Sequence, residues 1–142
     1  MRIAFHVPGK PQPGGSKRGF PLKLGGGKMR MVITDANAKA KPWQAAVRAE
    51  AMLAYRGELL RGPVRLTLTF CLTRPKGHFG MRGLKPSAPA HHIVKPDALK
   101  LARAVEDSLA GILFHDDSQI VEEHLSKVYA EQNGCDIEVE TL

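Results

Sequence analysis

The sequence predicts one α+β domain, a mixed β-sheet with two main helices and a basic hairpin arm, within its 142 residues. Three observations predict it. VRLTLTFCL, residues 64–72, alternates Val64, Leu66, Leu68, Phe70 and Leu72 with Arg65, Thr67, Thr69 and Cys71, which makes a strand with one face in a core. Two segments, near residues 39–56 and 98–110, carry apolar residues at three- and four-residue spacing. Between the first strand and the first helix, residues 8–34 are dense in Gly, Pro, Lys and Arg, which suits neither a continuous helix nor a central strand.

Taken in order, residues 2–7 alternate Ile3, Phe5 and Val7 with Arg2, Ala4 and His6, as a half-buried strand does. In the arm, extended pieces at 19–24 and 28–34 pair across Gly25, Gly26 and Gly27 as a hairpin. It brings Lys17, Arg18, Lys28 and Arg30 forward on permissive backbone, suited to phosphate contact or, equally, to a plain solvated connector. The helix over 38–56 takes Pro42 in its first turn, uses Trp43 as a packing anchor and is closed by Gly57. Residues 74–96 hold four prolines and three glycines together with Arg74, Lys76, Arg82, Lys85 and Lys95, and read as a mobile basic flap. Asp97 stands at the N-cap of the second helix and Gly111 at its stop. Leu101, Val105, Ser108, Leu109 and Ile112 share one side of that helix; Lys100, Arg103 and Asp107 share the other. Strands follow at 119–128 and 136–142, the last with Asp136, Glu138 and Glu140 facing solvent.

A content of 43% hydrophobic and 25% charged residues is that of a globular chain and argues against disorder. Apolar runs stay well short of the ~20 residues of a bilayer helix, and the N-terminus lacks the layout of a secretory signal, so a cytoplasmic protein without membrane contact is expected. Cys71 and Cys135 form neither a disulfide framework nor a metal knuckle and are expected as small core residues. Charge is more informative. Lys and Arg exceed Asp and Glu by 21 to 14, a net +7, but residues 1–96 carry +15 and residues 97–142 carry −8. A polyanion is attracted to the first part and repelled by the second unless a divalent cation offsets the carboxylates, which is the layout of a metal-dependent nuclease; a merely solubilising surface has the same composition.

Asp97, Asp116 and Asp117 stand at element boundaries flanked by apolar segments, where carboxylates from separate elements can converge on a hard cation. The same positions equally suit a helix cap and a turn.

KPDALKLARAVEDSLAGILFHDDSQIVEEHLSKVY resembles the signature region of the RusA-type Holliday-junction resolvases, small dimeric endodeoxyribonucleases of phages, prophages and bacteria. The first strand running into PGKPQP, the GSKR segment, the KPWQAAVRAEA helix and the RGPVRLTLTF strand resemble family features in the same order. The resemblance implies a RusA-like fold and paired Mg²⁺- or Mn²⁺-dependent nicking of four-way DNA junctions by a homodimer. It makes Asp97 and Asp117 the catalytic, metal-binding carboxylates with Asp116 beside them, and sets Lys100 and Arg103 near the scissile phosphate. Lys17, Arg18, Lys28, Arg30, Arg74, Lys76 and Lys95 would position the DNA. The chain departs from the pattern at three places: Leu99 stands where a second Asp is usual, Lys100 where Asn is, and Arg103 where Lys is. Asp107, on the same helix side, either compensates or forms surface ion pairs. Leu99 leaves room for a non-catalytic branched-DNA-binding relative, and a nuclease acting more broadly on flaps and forks is a further alternative.

Overall fold

In chain order the elements are β1 (Arg2–Pro8), β2 (Lys17–Lys23), β3 (Met29–Asp35), α1 (Ala40–Ala54), β4 (Val64–Leu72), β5 (Phe79–Gly80), β6 (Gly83–Leu84), α2 (Ala98–Leu109), β7 (Ile120–Tyr129) and β8 (Gly134–Thr141). The structure, a computed structural model, describes residues 1–14, 17–35 and 37–142, with the side chains of 17–20 and 33–35 outside the description. The fold is α+β, as the sequence predicts.

Alternation along β4 organises the core. Val64, Leu66, Leu68, Phe70 and Leu72 are buried and the residues between them half-buried. The main sheet runs β1-β8-β4-β7, antiparallel at the first two pairings and parallel where β7 joins β4. Both helices cover the face that bears Ile3, Val7, Leu66, Leu68, Phe70, Ile137 and Val139. From α1 come Trp43, Val47 and Ala51; from α2 come Leu101, Ala102, Ala104, Val105 and Leu109. Buried Ser108 donates to the Ala104 carbonyl at 2.7 Å, so its hydroxyl is satisfied within the helix.

The opposite face is open. Its acids are matched across the strands: Arg2 with Glu138 at 2.8 Å, Arg65 with Glu122 at 2.6 Å and Glu140 at 3.1 Å, and His6 with Asp136 at 2.7 Å. This agrees with the solvent face expected for Asp136, Glu138 and Glu140.

Three expectations need correction. Helix α1 stops at Ala54 rather than at Gly57, because Tyr55 turns extended and lays its ring against the core while its N–H still donates to Ala51. Cys135 is buried, but Cys71 is only half-buried, since its odd position on β4 aims it at the open face. Residues 74–96 are not featureless: Lys76–His78 form a 3-10 turn, and β5 pairs with β6.

The arm is a hairpin of β2 and β3, closed by a 3-10 turn at Gly25–Gly27 in which Gly26 and Gly27 hold φ of 76° and 75°. Its root is tied to α2, where the Gly14 N–H donates to the Lys100 carbonyl at 2.9 Å. A Cβ on Gly14 would lie 3.0 Å from the Ala104 Cβ and 3.1 Å from its Cα. Gly14→Val should therefore cost ~1–3 kcal/mol of stability through overpacking. Gly25→Ala, where a Cβ meets nothing within 4 Å, should stay within ~0.5 kcal/mol. Urea unfolding midpoints of both variants check the contrast.

Candidate functional site

The site begins with the register of β7. Ile120 pairs with Val64, but the pairing then shifts, so that Arg65 meets Glu122 and Leu66 meets Glu123. Val121 is the extra residue, and after it Glu123, Leu125, Lys127 and Tyr129 lie opposite Leu66, Leu68, Phe70 and Leu72, on the helix side of the sheet. An edge strand thereby turns a carboxylate, an ammonium and a phenol toward α2. Lys127 donates to the carbonyls of Val94 and Pro96, both at 2.9 Å, and so fastens the chain just before Asp97. Four residues earlier on β7, Glu123 meets Glu106 of α2.

Glu106 is the most perturbed carboxyl of this corner. Partial burial, the hydrogen bond with Glu123 and the negative charges of Glu123, Asp117 and Asp107 push it up to about 8. Asp116 and Asp117 divide their roles. Asp116 accepts from the Ser118 N–H at 2.8 Å and is held below the usual carboxylate range, whereas its hydrogen bond and charge raise Asp117. The Asp-Asp turn is fixed by Gln119, which uses both ends of its amide. Its oxygen accepts from the N–H groups of His115 and Asp116 at 2.8 and 3.0 Å, while its nitrogen donates to the carbonyls of Leu60 and Gly62 at 3.0 and 2.9 Å. That last pair ties the turn to the loop entering β4.

Asp97 occupies the N-cap of α2, but its side chain makes no capping bond. It lies at the far end of the helix from this corner: the ten residues to Asp107 rise ~15 Å along the axis. Asp97 is absent from the groups that shift Glu106 or Asp117, whereas Asp107 acts on both. One protomer thus sets Asp117 beside Asp116 and near Asp107 and Glu106, the last of which bonds Glu123, and apart from Asp97. Lys100 and Arg103 lie on the exposed side of α2 between the two ends, and Leu99 is 70% exposed in its first turn.

Among the DNA candidates, Lys28, Arg30, Lys76 and Lys95 are exposed. The side chains of Lys17 and Arg18 lie outside the described residues. Arg74 is half-buried and already engaged, with its guanidinium carbon 4.3 Å from the Tyr129 ring centroid and Nη1 donating to the Pro89 carbonyl at 2.7 Å. It braces the flap rather than reaching outward.

Sequence reasoning missed Glu106 and Glu123. Glu106 borders the apolar stripe beside Ala102, Val105 and Leu109, a position that hides a carboxyl half inside. Glu123 shares strand parity with Leu125, a signal readable only if β7 is known to face inward at odd positions.

The donor chemistry of the corner suits a hard divalent cation, being all carboxylate oxygen and mutually repulsive. Among the described residues, no three His, Cys, Asp or Glu side chains are arranged to hold a metal by themselves. Magnesium takes one or two carboxylates and completes its shell with waters and phosphate oxygens, so Asp117 with Asp116 fits that demand.

A family model described as endodeoxyribonuclease RusA matches residues 8–140. The chain is also 27% identical over 139 residues to the uncharacterized protein YqaN of Bacillus subtilis (strain 168), covering 95% of this chain and 93% of that one. Among the described residues, no helix is long and apolar enough to cross a membrane.

Two tests follow from the corner. Because the folded state raises Glu106 toward 8 from 4.5, protonation favours folding, and stability should rise as pH falls from about 8 to about 4.5. Glu106→Gln should accordingly raise Tm by a few degrees at pH ~8.5 and leave it nearly unchanged at pH ~5, as read by thermal melts across that range. Gln119→Glu keeps both acceptor bonds but loses the donors to Leu60 and Gly62 and adds charge beside Asp116; it should cost ~1–3 kcal/mol in urea unfolding at neutral pH.

Proposed function

The chain belongs to the RusA family of endodeoxyribonucleases, and on that premise we propose that it resolves four-way DNA junctions by paired, Mg²⁺-dependent nicking as a homodimer. The observation that carries this reading is the carboxyl corner. In a chain of net +7, burial and the neighbouring carboxylates of Glu123, Asp117 and Asp107 together push Glu106 up to about 8, while Lys100 and Arg103 are exposed on α2. Such a site repels a phosphate unless a cation lies between them.

Asp97 and Asp117 are the ligands we assign, with Asp116 holding the turn. When bound, the cation polarises the scissile phosphate and lowers the pKa of an attacking water. Lys100 and Arg103 lie along the exposed face of α2, where they meet charge developing on the phosphate, Lys as a point charge and Arg as a two-pronged donor. A helix length separates Asp97 from Asp117 in one protomer, so Asp97 of one copy and the partner subunit's Asp117 would be the pair to hold a cation that supplies this chemistry. A twofold axis then generates two equivalent sites, as two symmetric cuts require. Lys28 and Arg30 of the arm, with Lys76 and Lys95 of the flap, supply backbone contacts that set position rather than sequence.

The exposed Leu99 favours a second reading, a branched-DNA-binding protein that does not cut. Asp97→Asn and Asp117→Asn discriminate between the two. On a synthetic four-way junction with Mg²⁺, each should slow nicking by at least on the order of 10²-fold and leave junction binding intact. Wild-type protein that binds the junction and never nicks it with Mg²⁺ or Mn²⁺ establishes the second reading instead.

A further inference from the structure

Beyond the N-terminal end of α2, the flap and the end of β7 enclose a cleft of about 450 Å³ lined by Thr73, Arg74, Phe79, Leu84, Tyr129 and Glu131. Nothing in the nicking chemistry uses it. Its floor is a braced aromatic: the Tyr129 ring has the Arg74 guanidinium 4.3 Å above it, His78 edge-on at 5.5 Å and His92 at 5.1 Å. Its outer wall is the small hairpin of β5 and β6, which leaves Phe79 49% and Leu84 51% exposed. Two large apolar side chains on a hairpin with two residues per strand gain little from folding alone and stand ready for a ligand. On the flap that carries this wall Lys76, Arg82 and Lys85 are exposed, and Glu131 is the one carboxylate in the lining. Lys127, two residues before Tyr129 on the same face of β7, holds the Val94 and Pro96 carbonyls, so the cleft adjoins the segment that leads into Asp97.

We propose that this cleft receives a single unstacked nucleobase of the bound DNA, stacked between Phe79 and the Arg74 guanidinium that lies on Tyr129, while Lys76, Lys85 and Arg82 of the flap hold the flanking phosphates. The volume falls in the range of small-ligand sites. Flat aromatic walls and a stacked guanidinium accept any base, because every base has a π-face, and a basic flap matches the charge of its backbone. At a four-way junction the bases at the crossover are those that lose a stacking neighbour, which makes them the natural occupants. The proposal rests on the DNA-acting reading above, but not on its metal chemistry.

The test is done without metal, so that cutting does not intervene. A four-way junction carrying 5-iodouracil beside the crossover is bound, irradiated, and its crosslinked peptide identified, while anisotropy of the same junction gives affinity. We expect crosslinks at Phe79 or Tyr129, roughly tenfold weaker junction binding for Phe79→Ala, and recovery for Phe79→Trp. A bound junction whose crosslinks fall only on arm peptides, or a Phe79→Ala variant that binds like wild type, overturns the proposal. Failure to bind the junction at all rejects the junction-resolving reading, and the same irradiation on a single-stranded 5-iodouracil oligonucleotide then decides the cleft. A crosslink that depends on Phe79 sustains it; none rejects it.

Discussion

Between Val64 and Arg65 the pairing of β4 with β7 slips by one residue, and that slip decides which side chains face α2. Strand parity has a period of two, so one extra residue moves every later side chain to the other face. With Val121 absorbing the slip, Glu123 reaches Glu106, Lys127 reaches the carbonyls ahead of Asp97, and Tyr129 becomes the floor of the flap. Unshifted, the inward positions would have been those of Glu122, His124 and Ser126. Glu122 would then have left the guanidinium of Arg65, which holds it below the ordinary carboxylate range. The carboxyl corner, the anchor before Asp97 and the aromatic cleft all depend on this one strand.

The acidic C-terminal third is therefore two populations. On the open sheet face, Asp136, Glu138, Glu140 and Glu122 each lie against a cation or a histidine, and their charge is locally balanced. At the end of α2, Glu106 shares a hydrogen bond with Glu123 and feels the charges of Asp117 and Asp107; burial first, then these neighbours, push it up, while the hydrogen bond with Asp116 raises Asp117. Carboxyls shifted by burial and like charge in this way gather at functional sites. Gln119 keeps that corner in place by spending all of its amide on backbone groups of two separate loops.

The flap carries a comparable division. Of its basic residues, Arg74 is turned inward onto Tyr129 and Pro89, while Lys76, Arg82 and Lys85 stay outside. One cation is used to build the platform and the others stay exposed. That arrangement gives a stretch rich in proline and glycine a packing partner at the end of a neighbouring strand rather than in its own sequence.

Much was legible in one dimension. Alternation from Val64 to Leu72 determined the central strand, the spacing of Leu101, Val105 and Leu109 determined the buried side of α2, and the triple glycine determined the arm's turn. These are local signals, because period and backbone permissiveness are properties of consecutive residues. The exposed placing of Lys100, Arg103 and Asp107 followed from the same period. What the chain order could not disclose was which carboxylates meet. Asp97 and Asp117 look like partners across a short helix, yet twelve helical residues hold them apart within a protomer, and Asp117 lies beside Asp116 and near Glu106 instead. Pairing across strands and across a helix–sheet contact is set by register, and register here turns on a single inserted residue whose side chain carries no mark of it.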